Sequence, residues 1–408
     1  MTSKLEELIA ELCPNGVEYR KVGDIKKDKA IRLISPSLKI KSNDYKNEGS
    51  VPIISQELEF ISGYSDVFDP NIPNSEYVCF GDHSEHIKYV NFAFVQGADG
   101  LKIISVNNEV ILAKYFYYAI SNYYVKHNNY ERHFKYLMDT EIPVPPLEVQ
   151  EEIVRILDTF TELTAELTAE LTARKKQYEY YRDTLLTFDD NNPLHSLISR
   201  CCPNGVEYKN LKELGSFFGG LTGKNKNDFV DGNARYITYK NVYCNAAVDF
   251  STNDFVKVSD GEKQNVLQYG DVIFTGSSET PDECGFSSAV TCRLNEEVYL
   301  NSFCFAFRFN DVSMMNPDFS KYLFRSSALR SQIKRTANGV TRFNVSKALM
   351  SKVTIPIPPL EVQHQIVQIL DRFDALCNDL TQGLPAEIEA RRKQYEYYRD
   401  QLLTFKRA

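Results

Sequence analysis

Three stretches of the chain carry residue types that could do chemistry. Gly219-Gly-Leu-Thr-Gly-Lys224 has the glycines and the lysine of a loop that cradles phosphates. Such a loop needs a glycine five residues before Gly223 and a Ser or Thr after the lysine. Phe218 and Asn225 stand there instead, so nucleotide binding is not expected. His83-Ser-Glu-His86, with Asp82 beside it, has the look of a metal site, but no Cys or His cluster completes a ligand set, and the stretch reads as a polar loop. Pro281-Asp282 and Pro317-Asp318 could open a nuclease carboxylate motif, yet neither is followed by an acid-x-Lys pair. The Pro-Pro pairs are followed by Leu147 and Leu360 rather than by the aromatic residue of an amino-methylating motif, and no glycine-rich dinucleotide fingerprint is present. The chain is therefore expected to be no enzyme and to hold no metal or cofactor itself. A catalyst would sit on another chain.

What the residues offer instead is contact with a polyanion. From Lys321 to Lys347 there are seven basic residues (Lys321, Arg325, Arg330, Lys334, Arg335, Arg342, Lys347) and no acidic one. The stretch Lys114–Tyr136 holds Lys114, Lys126, Arg132 and Lys135 with His127 and His133, against Glu131 alone. A run of charge is commonly a solvated helix face. Its recurrence at matching places in two otherwise unlike segments favours phosphate contact. Polar loops flank these runs: Phe80-Gly-Asp-His-Ser84, Gln96-Gly-Ala-Asp-Gly100, Lys224-Asn-Lys226, Tyr239-Lys-Asn241 and Thr275-Gly-Ser-Ser-Glu279. Their side chains suit the donor and acceptor patterns of base edges. The candidate DNA-contacting residues are accordingly Asp82, His83, Ser84, Gln96, Asp99, Arg132 and Lys135 in the first half, and in the second Lys224, Asn225, Lys226, Tyr239, Lys240, Asn241, Ser277, Ser278, Lys334, Arg335, Arg342 and Asn344.

The elements that must position these residues are set by an internal repeat. Cys13-Pro-Asn-Gly-Val-Glu-Tyr19 recurs unchanged at Cys202–Tyr208. Ile142–Phe160 returns as Ile355–Phe373 with 14 of 19 positions identical, and Ala173–Phe188 as Ala390–Phe405 with 14 of 16. Between the matching blocks lie two long segments that have diverged almost completely. The plan is head, arm, head, arm: residues 1–144, 145–190, 191–357 and 358–408. Apolar residues of the arms, among them Ile153, Ile156, Phe160, Leu163, Leu167, Leu171, Tyr178, Tyr181 and Leu185, recur at steps of 3 and 4, the seam of a coiled coil. Prolines 145, 146, 358 and 359 sit where a helix begins, a position that tolerates a missing N–H. Two long helices with equal stripes are expected to pack antiparallel. Gly383 and Pro385 predict a break in the second arm. Within the heads, alternating runs such as Tyr236-Ile-Thr-Tyr, Asp271-Val-Ile-Phe and Phe303–Phe309 read as strands. The fold class expected is α+β: two mixed α/β heads separated by two long antiparallel coiled-coil arms, related by a pseudo-two-fold repeat.

With 408 residues and a net charge of −8, the chain is not one that coats nucleic acid by bulk charge, although local basic surfaces are compatible with that total. Its nine cysteines form no Cys-x-x-Cys pair and read as reduced thiols, and no stretch is long and apolar enough for a membrane span. A cytoplasmic location without a membrane partner is expected.

The two Ile-Pro-Val/Ile-Pro-Pro-Leu-Glu-Val-Gln blocks, the Thr164-Ala-Glu-Leu167 and Thr168-Ala-Glu-Leu171 repeat, and the paired Arg-Lys/Arg-Lys-Gln-Tyr-Glu-Tyr-Tyr-Arg-Asp tails resemble, across the whole chain, the specificity subunit of type I restriction–modification enzymes. The resemblance implies that the heads are target recognition domains, each reading half of a split sequence in double-stranded DNA. It implies that the arms set the spacing and dock two modification subunits. S-adenosylmethionine, ATP and Mg²⁺ would be used by those subunits and by added restriction (motor–nuclease) subunits, and none by this chain. Tyr180 and Tyr397 lie off the helical seam and, with Arg174, Lys175, Arg391 and Arg392 of the tails, are the candidate partner-facing residues. The Gly383–Pro385 step departs from a straight spacer.

Overall fold

A computed structural model describes residues 3–67, 71–97, 100–379 and 381–408. The chain forms two compact units: residues 1–168 with 388–408, and residues 169–387. Each unit therefore contains one head, the first part of the arm that follows it, and the last part of the other arm.

In unit 1 the strands are β1 (Tyr19–Lys21), β2 (Ile31–Ile34), β3 (Val51–Ile54), β4 (Gly63–Ser65), β5 (Tyr77–Gly81), β6 (Ile87–Val90), β7 (Val95–Gln96), β8 (Leu101–Val106) and β9 (Glu141–Pro143). They make an antiparallel sheet of order β2-β8-β5-β6 and a smaller sheet of order β4-β3-β7, in which β3 and β7 are parallel. Every residue of β5 is buried because both of its faces are covered. Val78 and Phe80 face a core built with Tyr115, Phe116, Ala119 and Ile120 of the helix Ala113–Tyr123. Tyr77 and Cys79 face the other way, onto Ile54, Phe94 and Ile103.

Unit 2 repeats this plan with different residues. Its strands are β10 (Glu207–Asn210), β11 (Gly215–Gly219), β12 (Ala234–Ile237), β13 (Phe255–Val256), β14 (Val272–Thr275), β15 (Ser277–Ser278), β16 (Ser287–Ala289), β17 (Val298–Leu300), β18 (Cys304–Phe309), β19 (Ala337–Asn338), β20 (Phe343–Val345) and β21 (Thr354–Ile357). The main sheet has order β11-β18-β14-β16 and the smaller one β13-β12-β17, again with one parallel pair. Val272 and Phe274 of β14 pack towards Phe319, Tyr322 and Phe324. Ile273 packs towards Ile237, Val242 and Leu300. A third sheet, β15-β20-β19, has no counterpart among the described residues of unit 1.

Each head begins and ends on paired strands: Tyr19 lies opposite Pro143 in the β1–β9 pair, and Tyr208 opposite Pro356 in the β10–β21 pair. The arm helices start immediately after the Pro-Pro steps, at Leu147 and Leu360. A fully buried glutamine locks each start. Gln150 Oε1 accepts the Leu112 N–H (2.9 Å) while its Nε2 donates to the Pro145 carbonyl (2.7 Å). Gln363 Oε1 accepts the Asn316 N–H (2.7 Å), and its Nε2 donates to the carbonyls of Met314 (2.9 Å) and Pro358 (2.8 Å). About two turns further along, Asp158 binds Lys114 (2.6 Å) and the Tyr118 hydroxyl (2.7 Å). Asp371 binds Lys321 (3.0 Å) and the Tyr322 hydroxyl (2.5 Å).

The first arm is a single 39-residue helix, Leu147–Leu185, about 58 Å long at 1.5 Å per residue. It stops short of Phe188 because the Asn192 side chain takes the carbonyls of Thr184, Leu185 and Thr187. The second arm is broken where Gly383 and Pro385 predicted it. One helix ends at Asn378 and the next starts at Leu384, with Pro385 as its second residue. A Cβ on Gly383 would lie 2.6 Å from the Ala375 carbonyl oxygen, so the break leaves room for glycine alone. In unit 1, Tyr398 stacks on Phe160 with centroids 5.4 Å apart, and the tail beyond it reaches Tyr19, whose hydroxyl donates to the Phe405 carbonyl (3.1 Å). In unit 2, Tyr181 stacks on Phe373 at 5.2 Å and Leu185 joins the core containing Ile366 and Leu370. In unit 2 Tyr178, about one turn before Tyr181, lies near Asp374 and Cys377, beyond Phe373, so the paired segments run antiparallel. The nine cysteines are free thiols, and no helix among the described residues is long and apolar enough to cross a membrane.

Replacing Gln363 by Ala strands a buried N–H and two carbonyls, at a cost of about 2–3 kcal/mol. Thermal unfolding of the variant should fall by several degrees, whereas His364→Ala at the exposed neighbouring position should melt like the parent.

Candidate nucleic-acid interface

The corresponding corner of each main sheet opens into a hollow. In unit 1 it lies past the end of β5 and before the start of β8, has a volume of about 370 Å³, and gathers Lys39, Asp82, His83, Gln96, Lys102 and Arg132 on its walls. In unit 2 it lies past the end of β14 and before the start of β18, with a volume of about 1000 Å³. Tyr239, Tyr243, Ser277, Ser278, Glu279, Phe303, Val340 and Arg342 are among its lining residues. Four expected residues of the first half and four of the second are thus brought together, each set within its own unit.

The unit 1 hollow is built around buried charge. Asp82 is nearly inaccessible; it pairs with Lys102 (3.2 Å) and accepts the Phe134 N–H (2.9 Å). Gln96 donates through Nε2 to the Leu101 carbonyl at 3.2 Å. Ser84 Oγ donates to the Gln56 carbonyl and so shapes the turn. His83 meets the Glu131 carbonyl through Nδ1 (3.0 Å) and stacks on Tyr130 at 5.3 Å. Arg132 is exposed, whereas Lys135 is paired with Glu131 at 3.0 Å. Asp99 lies outside the described residues.

Two residues that matter here were not singled out from the sequence. Tyr130 is 92% exposed beside His83. Glu85, buried and held at φ +57°, accepts the Tyr124 hydroxyl (2.5 Å) and the N–H groups of His127 (2.9 Å) and Asn128 (2.8 Å). It thereby anchors the loop that carries Tyr130 and Arg132. Burial alone would raise the Glu85 pKa, but these hydrogen bonds outweigh it and bring the carboxyl down to about 2. The acid in the metal-like His83–His86 stretch is therefore a loop anchor, and a buried acid beside two histidines was the available signal. Among the described residues no His, Cys, Asp and Glu side chains converge as a metal site.

In unit 2 the groove is framed by hydroxyls. The Tyr239 hydroxyl donates to the Ser277 carbonyl (2.8 Å), and Arg342 donates to Ser277 Oγ through Nη2 (3.0 Å). Glu283 collects the hydroxyls of Tyr243 (2.8 Å), Ser278 (3.0 Å) and Thr280 (3.0 Å), and the Tyr243 bond leads in holding its carboxyl below the usual range. Asn344 is exposed on β20 opposite Ser277, and Lys240 and Arg335 are exposed.

Several expected contacts are occupied within the fold. Lys224 binds Glu262 (2.6 Å) and the Lys257 carbonyl (2.6 Å), and Asn225 caps the turn that Lys226 begins. Asn241 is buried, bridging to Asp249 at 2.6 Å. The basic run is only partly available. Arg325 donates to the carbonyls of Ser287, Val242, Tyr243 and Asn245, and burial, with Arg330 nearby, lowers its pKa to about 10. Arg330 donates to Gly285, Asp282 and Cys284, and Lys334 pairs with Asp282. Lys321 and Lys114 serve the head–arm junctions described above. On the arms, Tyr180 and Tyr397 are exposed beside the packed Tyr181 and Tyr398. Lys175 is exposed; Arg174, Arg391 and Arg392 bond to residues one turn away, Gln177, Gln394 and Glu396.

The sequence matches the family model described as type I restriction modification DNA specificity domain twice, over residues 14–174 and 203–390. The type I restriction enzyme EcoR124I/EcoR124II specificity subunit of Escherichia coli is 31% identical over 391 residues, covering 90% of each chain. A putative type I restriction enzyme specificity subunit of Haemophilus influenzae is 32% identical over 283 residues, 66% of this chain and 65% of that one. In fold, the chain is similar to the S subunit of a type I restriction–modification system from M. genitalium, with a TM-score of 0.51 and 13% identity over 96% of this chain and 97% of that one. A chain from a structure describing complex assembly and conformational transition of the type I R-M system gives a TM-score of 0.58 at 16% identity, covering 96% and 98%.

The Glu85 anchor makes a pH-dependent contribution. Its folded pKa of about 2 lies below the ordinary value of 4.5. The stability it adds is therefore fully present above about pH 4.5 and is lost as the pH falls towards 2. Acid titration of stability should be shallower over that interval in Glu85→Gln than in the parent; equal slopes would exclude the anchor role.

Proposed function

Since the chain belongs to the family of type I restriction–modification specificity subunits, which recognise DNA targets, we propose that its two units read different halves of a split, asymmetric sequence in double-stranded DNA. The observation that carries this reading is the contrast within the repeat. The two heads share strand order and the same helix clips, yet line the corresponding corner with different side chains. Same frame and different lining is what two unequal half-sites require.

The arms, in this reading, fix the spacing and dock one modification subunit on each repeat. The near-identical tails, with Tyr180 and Tyr397 exposed and Arg174, Lys175, Arg391 and Arg392 near them in sequence, support two equivalent docking faces. The chain supplies recognition and geometry. The modification subunits supply S-adenosylmethionine-dependent adenine methylation, and restriction subunits use ATP and Mg²⁺. Of the residues expected at the DNA, Arg132, Lys240, Arg335, Arg342 and Asn344 are exposed and stay assigned to phosphates or bases.

Co-expression with the cognate modification subunit, followed by methylation mapping, should return two unequal half-sites and a constant spacer; a palindromic or continuous site would overturn the reading. Deleting Thr168–Leu171 removes ~6 Å of helix, comparable with one or two base-pair steps of ~3.4 Å. The mapped spacer should shorten while both half-sites stay unchanged. Glu placed at both Tyr180 and Tyr397 should weaken co-purification with the modification subunit, and unaltered assembly would remove these tyrosines from the interface.

A further inference from the structure

The third sheet of unit 2 builds a device that the shared plan of the heads does not need. β20 pairs with β15, placing Asn344 opposite Ser277, and with β19, placing Asn338 opposite Asn344. Between β19 and β20 the chain reverses tightly: Gly339 sits at φ +153°, and a Cβ there would lie 2.0 Å from the Arg342 carbonyl oxygen. Arg342 ties the root of this loop to Ser277 Oγ (3.0 Å) and lies over the Phe303 ring at 5.7 Å. The loop is thus held in place, yet its tip is apolar. Val340 is 90% exposed, Phe303 is 57% exposed, and both line the same groove.

Neither side chain belongs to a hydrophobic core cluster of unit 2, and each is costly to leave in water. The rest of the groove is hydroxyl-rich, with Arg342, Glu279 and Glu283 on its walls, and Glu283 is already engaged by the hydroxyls of Tyr243, Ser278 and Thr280. That setting suits a polar partner that displays hydrogen-bond donors and acceptors together with one small apolar feature. Among the base edges displayed in the major groove of DNA, the C5-methyl group of thymine is that feature, and phenylalanine and aliphatic side chains are its usual contacts. Resting on the recognition reading above, we infer that Val340 and Phe303 read a thymine methyl in the half-site of unit 2, with Arg342 fixing their approach.

The test uses the complex with the modification subunits and its mapped target. Each thymine of the two half-sites is replaced in turn by uracil, which lacks only the methyl, and binding is measured. At one thymine the replacement should weaken binding about fourfold, the worth of one buried methyl-sized group. Val340→Ser should weaken the parent duplex by a similar factor and remove the penalty of uracil at that same position, since the two changes delete one contact. Because Val340 is exposed, the variant should assemble and melt like the parent. If no thymine shows sensitivity to uracil, or if the penalty persists in both Val340→Ser and Phe303→Ser, the inference is overturned while recognition by unit 2 stands. A complex without any sequence preference would overturn the recognition reading as well.

Discussion

Each unit is closed by a helix segment that belongs to the other repeat. Tyr398 stacks on Phe160 in unit 1, and its equivalent Tyr181 stacks on Phe373, the equivalent of Phe160, in unit 2. One aromatic pair is thus used twice with its members exchanged, and both repeats must keep both members. The buried glutamines and the aspartates at the head–arm junctions act within their own repeats, and they too set one geometry at two places. One packing geometry required at two places fits the near-identity of the arm blocks.

The heads are under a looser constraint. A central strand covered on both faces asks for apolar residues on each, and β5 and β14 meet that demand with Tyr-Val-Cys-Phe-Gly and Val-Ile-Phe-Thr. The start and the end of each head need only pair with one another. Past the ends of the strands the side chains support little of the core, and there the two units part company. One corner carries the buried Asp82, paired with a half-buried Lys102, and a His83–Tyr130 stack. The other carries hydroxyls gathered on Glu283 and an apolar loop tip.

The arms, their break at Gly383 and the strands around Ile273 and Phe305 were legible in the sequence because apolar spacing reports burial directly. The common topology of the heads was not, since strand order leaves no trace once the side chains have diverged. Charge was the least legible property. Arg325 and Arg330 look like free cations in the sequence, yet the carbonyls left over where strands and helices end need donors, and a guanidinium supplies several from one side chain. Asn241 and Lys224 were absorbed by similar demands. Arg132 and Arg342, two of the cations that remained exposed, stand in loops just before the helix Phe134–Asp139 and β20, a position that only the folded chain reveals.

The discontinuity of unit 1 also has a bearing on synthesis. Unit 2 is a continuous stretch, complete once residue 387 has left the ribosome, whereas unit 1 includes residues 388–408. Although the first head emerges earliest, its base at Val17 and Tyr19 stays uncovered until the segment Phe405–Ala408 arrives to bond with it. Domains commonly fold in the order in which they are made. Here the order of completion is reversed: the head translated first is the one finished last.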